Sequence, residues 1–245
     1  MPPIDPSIPV EIPADTPGDT PLSKLPNFDP KAVPVIAVDS HLPPIAPHIL
    51  AGPALRERFA NPRAYEPEIY REKRFVDRPP ALAAVLVPIV QRERPMVLLT
   101  ERTSHLSNHS GQIAFPGGRR DDTDVDFADT ALREATEEIG LDRGAAEVIG
   151  EMPVYLTGTG FIVTPVFALV APDYKLTLNE YEVADAFEVP LDFLMNPANH
   201  RRHAVEWANA RREWLSMPYD DAGTERFIWG ATAAMLRNFY RFLSA

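Results

Sequence analysis

From residue 81 onward the chain alternates apolar runs with polar breaks. ALAAVLVPIV (81–90) and PMVLLTER (95–102) are branched, apolar runs split by QRER, which predicts a hairpin of largely buried strands. FADTALREATEEIG (127–140) changes the period: Ala128, Ala131, Leu132, Ala135 and Ile139 fall on one helical stripe. Asp124 or Asp126 offers a cap at its start, and Gly140 ends it. Residues 146–156 and 161–170 read as strands joined by the turn TGTG, and VPLDFLMN (189–196) as a short helix after Pro190. REWLSMPY and ERFIWG predict late strands, and ATAAMLRNFYRFL (231–243) an amphipathic C-terminal helix. PALRERFA (53–60) reads as a short helix with Pro53 at its start. Strands and helices interleave, with one helix following a glycine-rich loop, so the expected class is an α/β sandwich.

Composition changes the picture at the N-terminus. Residues 1–47 hold thirteen of the 27 prolines, too many for a helix or a central strand. They are expected to form an extended arm, either packed on the domain or a neighbouring chain or left as a disordered tail. The 245 residues suit one domain with an extension: an arm over 1–50 and a domain over 51–245 with its core at about 80–240. The absence of cysteine excludes disulfides and thiol chemistry. No apolar run approaches the roughly 18 residues of a membrane span. MPPIDPSIPVEIPADTP lacks the basic and apolar regions of a secretory signal, so the expected location is the cytoplasm. A net charge of −11 argues against nucleic acid or an anionic membrane as partner. It leaves room for a small anionic substrate, because a bound divalent cation inverts the local field. Oligomeric state is not legible, and a homodimer is allowed.

The candidate chemistry lies on the helix at 127–140. Glu134, Glu137 and Glu138 sit at i, i+3 and i+4, on one face. Like charges at this spacing destabilise a helix by about 0.2–0.5 kcal/mol per pair, and only Arg133, four before Glu137, offers compensation. A solvated acidic face is one reading. The other is a site for a hard cation, Mg²⁺ or Mn²⁺, which takes carboxylate oxygens together with water and phosphate. Upstream, Gly117 and Gly118 make either an ordinary turn or a place where backbone comes close to another backbone or to a phosphate.

Taken together, the segment resembles the box of the Nudix hydrolase family: G, five residues, E, seven residues, then R-E-U-x-E-E-x-G-U, with U bulky and apolar. Arg133-Glu134-Ala135-Thr136-Glu137-Glu138-Ile139-Gly140-Leu141 matches the second half, with Ala135 a small substitute for U. Counted from Gly118, the first half is one residue longer and lacks its glutamate. Asp121, Asp122, Asp124 and Asp126 stand in that region. LLTERTSHLSNHSGQIAFPGG (98–118) is similar to the signature of the Nudix coenzyme A diphosphatases, with Leu98, Leu99, Thr100, Arg102, Gly111, Phe115, Pro116, Gly117 and Gly118 in register. Thr103 replaces a small residue of that signature, and Ser107 replaces an arginine that could fork onto a phosphate. YLTGTGFIVTPV, NEYEVADAFEVPL and FIWGATA resemble later parts of the same group, so the likeness spans about residues 80–240.

The resemblance implies an α/β/α sandwich with a mixed sheet and a metal-dependent diphosphatase. Its implied reaction cuts CoA or acyl-CoA into 3′,5′-ADP and 4′-phosphopantetheine. NADH, ADP-ribose or nucleoside triphosphates are the rival substrates, and a non-catalytic nucleotide-binding module is the rival class. Glu134 and Glu138 are the implied main metal ligands, with Glu137 a further ligand or a base and Arg133 an orienting group. Glu182, in NEYEVADAF, is a candidate general base outside the helix, and Arg102 a phosphate contact. Each has a plainer reading as a surface acid or a rim ion pair. His105 and His109, and His200 and His203, read as loop histidines. Trp229, Phe227, Tyr155 and Phe161 read as packing residues.

Overall fold

The computed structural model describes residues 28–69, 71–72, 79–103, 111–207 and 210–245. His105, Ser107 and His109 lie outside the described residues. The elements in chain order are β1 (Val35–Val38), α1 (Gly52–Ala60), β2 (Ala81–Val90), β3 (Met96–Arg102), β4 (Ile113–Ala114), β5 (Gly117–Arg119) and α2 (Phe127–Ile139). There follow β6 (Ala146–Glu151), β7 (Tyr155–Leu156), β8 (Phe161–Val170), β9 (Val183–Pro190) and α3 (Leu191–Leu194). The chain ends with β10 (Arg201–Trp207), β11 (Ala210–Asp221), β12 (Thr224–Trp229) and α4 (Gly230–Ser244).

β2 is the hub of a mixed eight-stranded sheet. It runs parallel to β8 along its whole length, from Ala81↔Phe161 to Val90↔Val170. On its other edge it changes partner: Ile89 and Val90 pair with β3, while Ala83–Val85 pair with β5. β3 in turn pairs with β9 and, at Thr100 and Glu101, with β4. Strands buried on both faces read as continuous apolar runs, and β2 and β8 do. On one face Ala84, Leu86, Leu98, Val166 and Ala168 meet Ala131, Ala135 and Ile139 of α2. On the other, Val87, Ile89, Leu99, Phe167 and Leu169 pack with Leu55 of α1, Leu215 and Met217 of β11, and Phe239 of α4. The result is an α/β/α sandwich around a mixed sheet.

A second antiparallel sheet, β1-β10-β11-β12, lies on the α4 side. Its β1 is a four-residue edge strand after Pro34, a place that the local proline density permits. His203 sits within β10 and is buried, so it is not a loop histidine; His200 does lie in the connection before β10, but it is buried there rather than exposed. The polar run NHRRH hid a strand whose partners are polar too: His203 Nδ1 meets Val33 O at 2.9 Å, and Nε2 meets Ser216 Oγ at 2.8 Å. The double glycine is likewise strand rather than turn. Among the described residues no helix is long and apolar enough to cross a membrane.

Candidate active site

α2 begins and ends on side-chain and glycine signals. Asp126 is its N-cap, accepting from the Asp129 N–H at 2.7 Å. Gly140 closes it in the left-handed region at φ 65°, where a Cβ costs energy. Ala131, Ala135 and Ile139 bury one stripe against the sheet and thereby aim Glu134 and Glu138 at the β5 edge. Glu138 is 4% exposed. Its Oε2 accepts from the Gly117 N–H at 3.1 Å, and its Oε1 lies 3.7 Å from Arg102 Nη1. The Glu134 carboxylate lies over Gly118, where an added Cβ would stand 2.6 Å from it. At Gly117 a Cβ would stand 2.6 Å from Val85 Cα. The two glycines therefore let β5 lie flat between β2 and the carboxylates.

Electrostatically the cluster is under-compensated. Burial pushes Glu138 up to about 7, and the charges of Glu134 and Glu182 add to this against the opposing Gly117 N–H and Arg102. Burial also raises Glu134; Arg133 opposes the shift, while Glu137 and Glu182 reinforce it. Glu182 thus lies within electrostatic reach of both helix carboxylates although it comes from the turn before β9. That turn is fastened to the helix, where Asn179 N donates to Glu138 O, and to the end of β3, where Thr103 N donates to Glu182 O.

Arg133 is the cationic centre of the helix face. Its guanidinium donates to Glu134 Oε1 at 2.9 Å, Glu137 Oε2 at 3.1 Å and Arg119 O at 3.0 Å. Asp124 holds it from the other side through two bonds, Nε–Oδ1 at 2.8 Å and Nη2–Oδ2 at 3.0 Å. Asp124 also accepts from Thr130 Oγ1 and the Asp121 N–H, and the Arg133 bond holds its carboxyl well below the usual range. Of the four aspartates in the loop, it is the buried one. Sequence spacing alone left the choice open, because all four are acids in one loop. The separating signal is pairing and burial.

As the side chains stand, no three Asp, Glu or His groups among the described residues converge on a common metal position. Glu134 and Glu137 are bonded to Arg133 instead. The donor chemistry nevertheless fits a hard divalent ion. The donors are all carboxylate oxygens, and among the described residues the buried Glu138 faces one weakly placed cation, Arg102.

A family model described as the NUDIX domain matches residues 80–210, a span containing the whole of this site. The chain belongs to the Nudix hydrolases. Its curated relatives include proteins named NudL, an uncharacterised Nudix hydrolase, from Escherichia coli O7:K1 (strain IAI39 / ExPEC) and from Shigella boydii serotype 4 (strain Sb227). Each is 43% identical over 156 residues, covering 63% of this chain and 79% of the relative. A crystal structure of a C. elegans Ap4A hydrolase binary complex aligns over 67% of this chain and 98% of its own, at 18% identity and a TM-score of 0.42. Nudix hydrolases generally act on small nucleotide-derived substrates with divalent metals, and this chain is a Nudix pyrophosphatase by family, with the Nudix sandwich as its fold.

Proposed function

We propose that this Nudix hydrolase cleaves the diphosphate of CoA or acyl-CoA, releasing 3′,5′-ADP and (acyl-)4′-phosphopantetheine. The feature that carries the reading is Glu138, a nearly fully buried carboxylate held by Gly117 and Arg102 and pressed by Glu134 and Glu182. A site built to hold uncompensated negative charge is a site for a cation and a phosphate. The CoA assignment rests on LLTER (98–102) and GQIAFPGG (111–118), which resemble the signature of the Nudix coenzyme A diphosphatases and lead into this site. Ser107, where an arginine is expected, leaves the 3′-phosphate without that fork.

Glu134, Glu137 and Glu138 would hold Mg²⁺ or Mn²⁺. When bound, such an ion neutralises phosphate oxygens and lowers the pKa of water. The chain's own groups do the rest. Arg133, pinned by Asp124, orients Glu134 and Glu137. Arg102, at the end of β3, takes a non-bridging oxygen of the diphosphate. Gly117 and Gly118 leave room for that group beside the strand. Glu182 takes the proton from the attacking water onto a carboxylate oxygen, as general base.

Product analysis with Mg²⁺ or Mn²⁺ on CoA, acetyl-CoA, NADH and ADP-ribose tests the assignment. CoA is expected to give 3′,5′-ADP and 4′-phosphopantetheine at the highest kcat/KM. Faster cleavage of NADH or ADP-ribose would move the chain to that substrate class while keeping the chemistry.

A further inference from the structure

β9 does not run straight into the site. Its pairing with β3 is regular from Met96↔Pro190 to Glu101↔Asp185 and then shifts, so that Arg102 faces Val183. The extra residue, Ala184, makes a β-bulge. Its effect shows in where the side chains go. Phe187 packs on the α4 side of the sheet, and period-two alternation would send both Asp185 and Val183 there. Val183 is instead buried in the cluster beneath α2. The bulge thus rephases the start of β9, and the turn carrying Glu182 comes off on the α2 side, where Asn179 N meets Glu138 O. Asp185 stays on the other side. There it stands directly opposite Glu101, an arrangement of like charges that repels. Arg226 reaches between them from β12 of the second sheet. Its Nη1 donates to Glu101 Oε2 at 2.9 Å, and its Nη2 to Asp185 Oδ2 at 2.5 Å. Its Nε donates to Asp221 Oδ2 at 3.1 Å, and its guanidinium lies 4.1 Å from the Phe187 ring centroid. Nearly buried and held by three carboxylates and a ring face, this guanidinium has a fixed orientation.

We propose that Arg226 is a positioning residue for the hydrolysis: by clamping Glu101 to Asp185 it fixes the bulge that turns Arg102 and Glu182 towards the carboxylate cluster. Both ends follow from the chain. Arg102 is next to Glu101 in β3, and its Nη1 lies 3.7 Å from Glu138 Oε1. Glu182 is three residues from Asp185, and its carbonyl accepts from Thr103 N. Without the cation, Glu101 and Asp185 repel across the strands at the point where the ladder is already interrupted. A misplacement of about 1 Å at a reacting group costs about a hundredfold in rate. The clamp rests on the reading of the cluster as a diphosphate site at which Arg102 and Glu182 act, but not on CoA being the substrate.

The test is a pair of double-mutant cycles on the full chain with Mg²⁺. Turnover is followed on whichever of CoA, acetyl-CoA, NADH and ADP-ribose the wild type cleaves fastest, and 5′-ADP binding by calorimetry. Arg226→Gln is expected to lower kcat about tenfold and to weaken ADP binding about tenfold, with native far-UV circular dichroism at the assay temperature. Added to Glu182→Gln, it should cost less than about twofold in kcat, and added to Arg102→Ala, less than about twofold in ADP affinity, because the group it positions is gone. Glu101→Ala leaves Arg226 paired with Asp185 and Asp221 and should move both readouts the same way, about threefold. If Arg226→Gln does not fold, Glu101→Ala carries the same two cycles. Losses that multiply in full in either cycle, or wild-type values in Arg226→Gln and Glu101→Ala, overturn the clamp. Wild-type kinetics and binding in Glu182→Gln and Arg102→Ala overturn the roles given to those two residues, and the clamp with them. Failure to cleave CoA with the coupling intact overturns only the CoA assignment.

Discussion

Glu138 and Asp124 show how little separates a ligand from a strut. Both are nearly buried acids facing an arginine, but Asp124 has two bonds from Arg133 and two more donors, whereas Glu138 has one backbone N–H and a distant Arg102. Glu138→Gln is therefore expected to cost well over tenfold in kcat. Its melting temperature should not fall, because a neutral amide replaces a poorly compensated buried charge. Full turnover would remove Glu138 from the metal site. Asp124→Asn should act differently, losing about 1–3 kcal/mol of stability in denaturant melts by taking a charged partner from Arg133. The residues of the box were legible in the sequence because REATEEIGL has a fixed spacing. The role of Asp124 was not, since pairing depends on which of four neighbouring acids turns inward.

At the scale of elements, α2 was readable because period and caps agree: an apolar stripe, Asp126 before it and Gly140 after it. β5 and β4 were not, because three and two residues leave no alternation to see, and glycine carries no strand preference. β10 was missed because the buried side chain among its described residues is a polar one, His203, whose ring nitrogens are satisfied by Val33 O and Ser216 Oγ. β5 makes a sharp prediction. Gly118→Ala places a methyl against the Glu134 carboxylate and should lower kcat/KM at least about tenfold, by displacing that ligand. The sheet face of β2 is unaffected, so far-UV circular dichroism should match wild type. Unchanged kcat/KM would show that Glu134 can move without consequence.

The whole molecule is tied together by an ionic knot on the side opposite α2. Arg237 of α4, Arg202 of β10, Asp39 and Glu68 interlock, with Arg202–Asp39 bonds of 2.8 Å and Arg237 Nε–Glu68 Oε2 at 2.7 Å. They fasten residues 39–69 to the sandwich, a connection invisible in a proline-rich stretch with no periodic pattern. His200 sits in this knot at 0% exposure. Its Nδ1 faces Arg237 Nη1 at 3.1 Å, and its Nε2 faces Leu194 O at 2.7 Å. The neutral ring, accepting at Nδ1 and donating at Nε2, satisfies both; a second proton would point at the guanidinium. Burial pushes the ring down to about 4, with Arg237 assisting against the Leu194 bond, Asp39 and Glu68. The unfolded ring, near 6.5, binds protons first, so stability is lost as pH falls from about 6.5 towards 4. Denaturant melts should show about 2 kcal/mol less stability from this group at pH 5 than at pH 7. His200→Asn should flatten that slope; an equal slope in the variant would place the titration elsewhere.

The proposed metal site is tested most directly by anomalous scattering from crystals grown with Mn²⁺ and 3′,5′-ADP. A manganese peak between the carboxylates of Glu134 and Glu138, beside the Gly117–Gly118 strand, is the predicted result. Manganese bound elsewhere, with these carboxylates still held by Arg133 and Gly117, would contradict it.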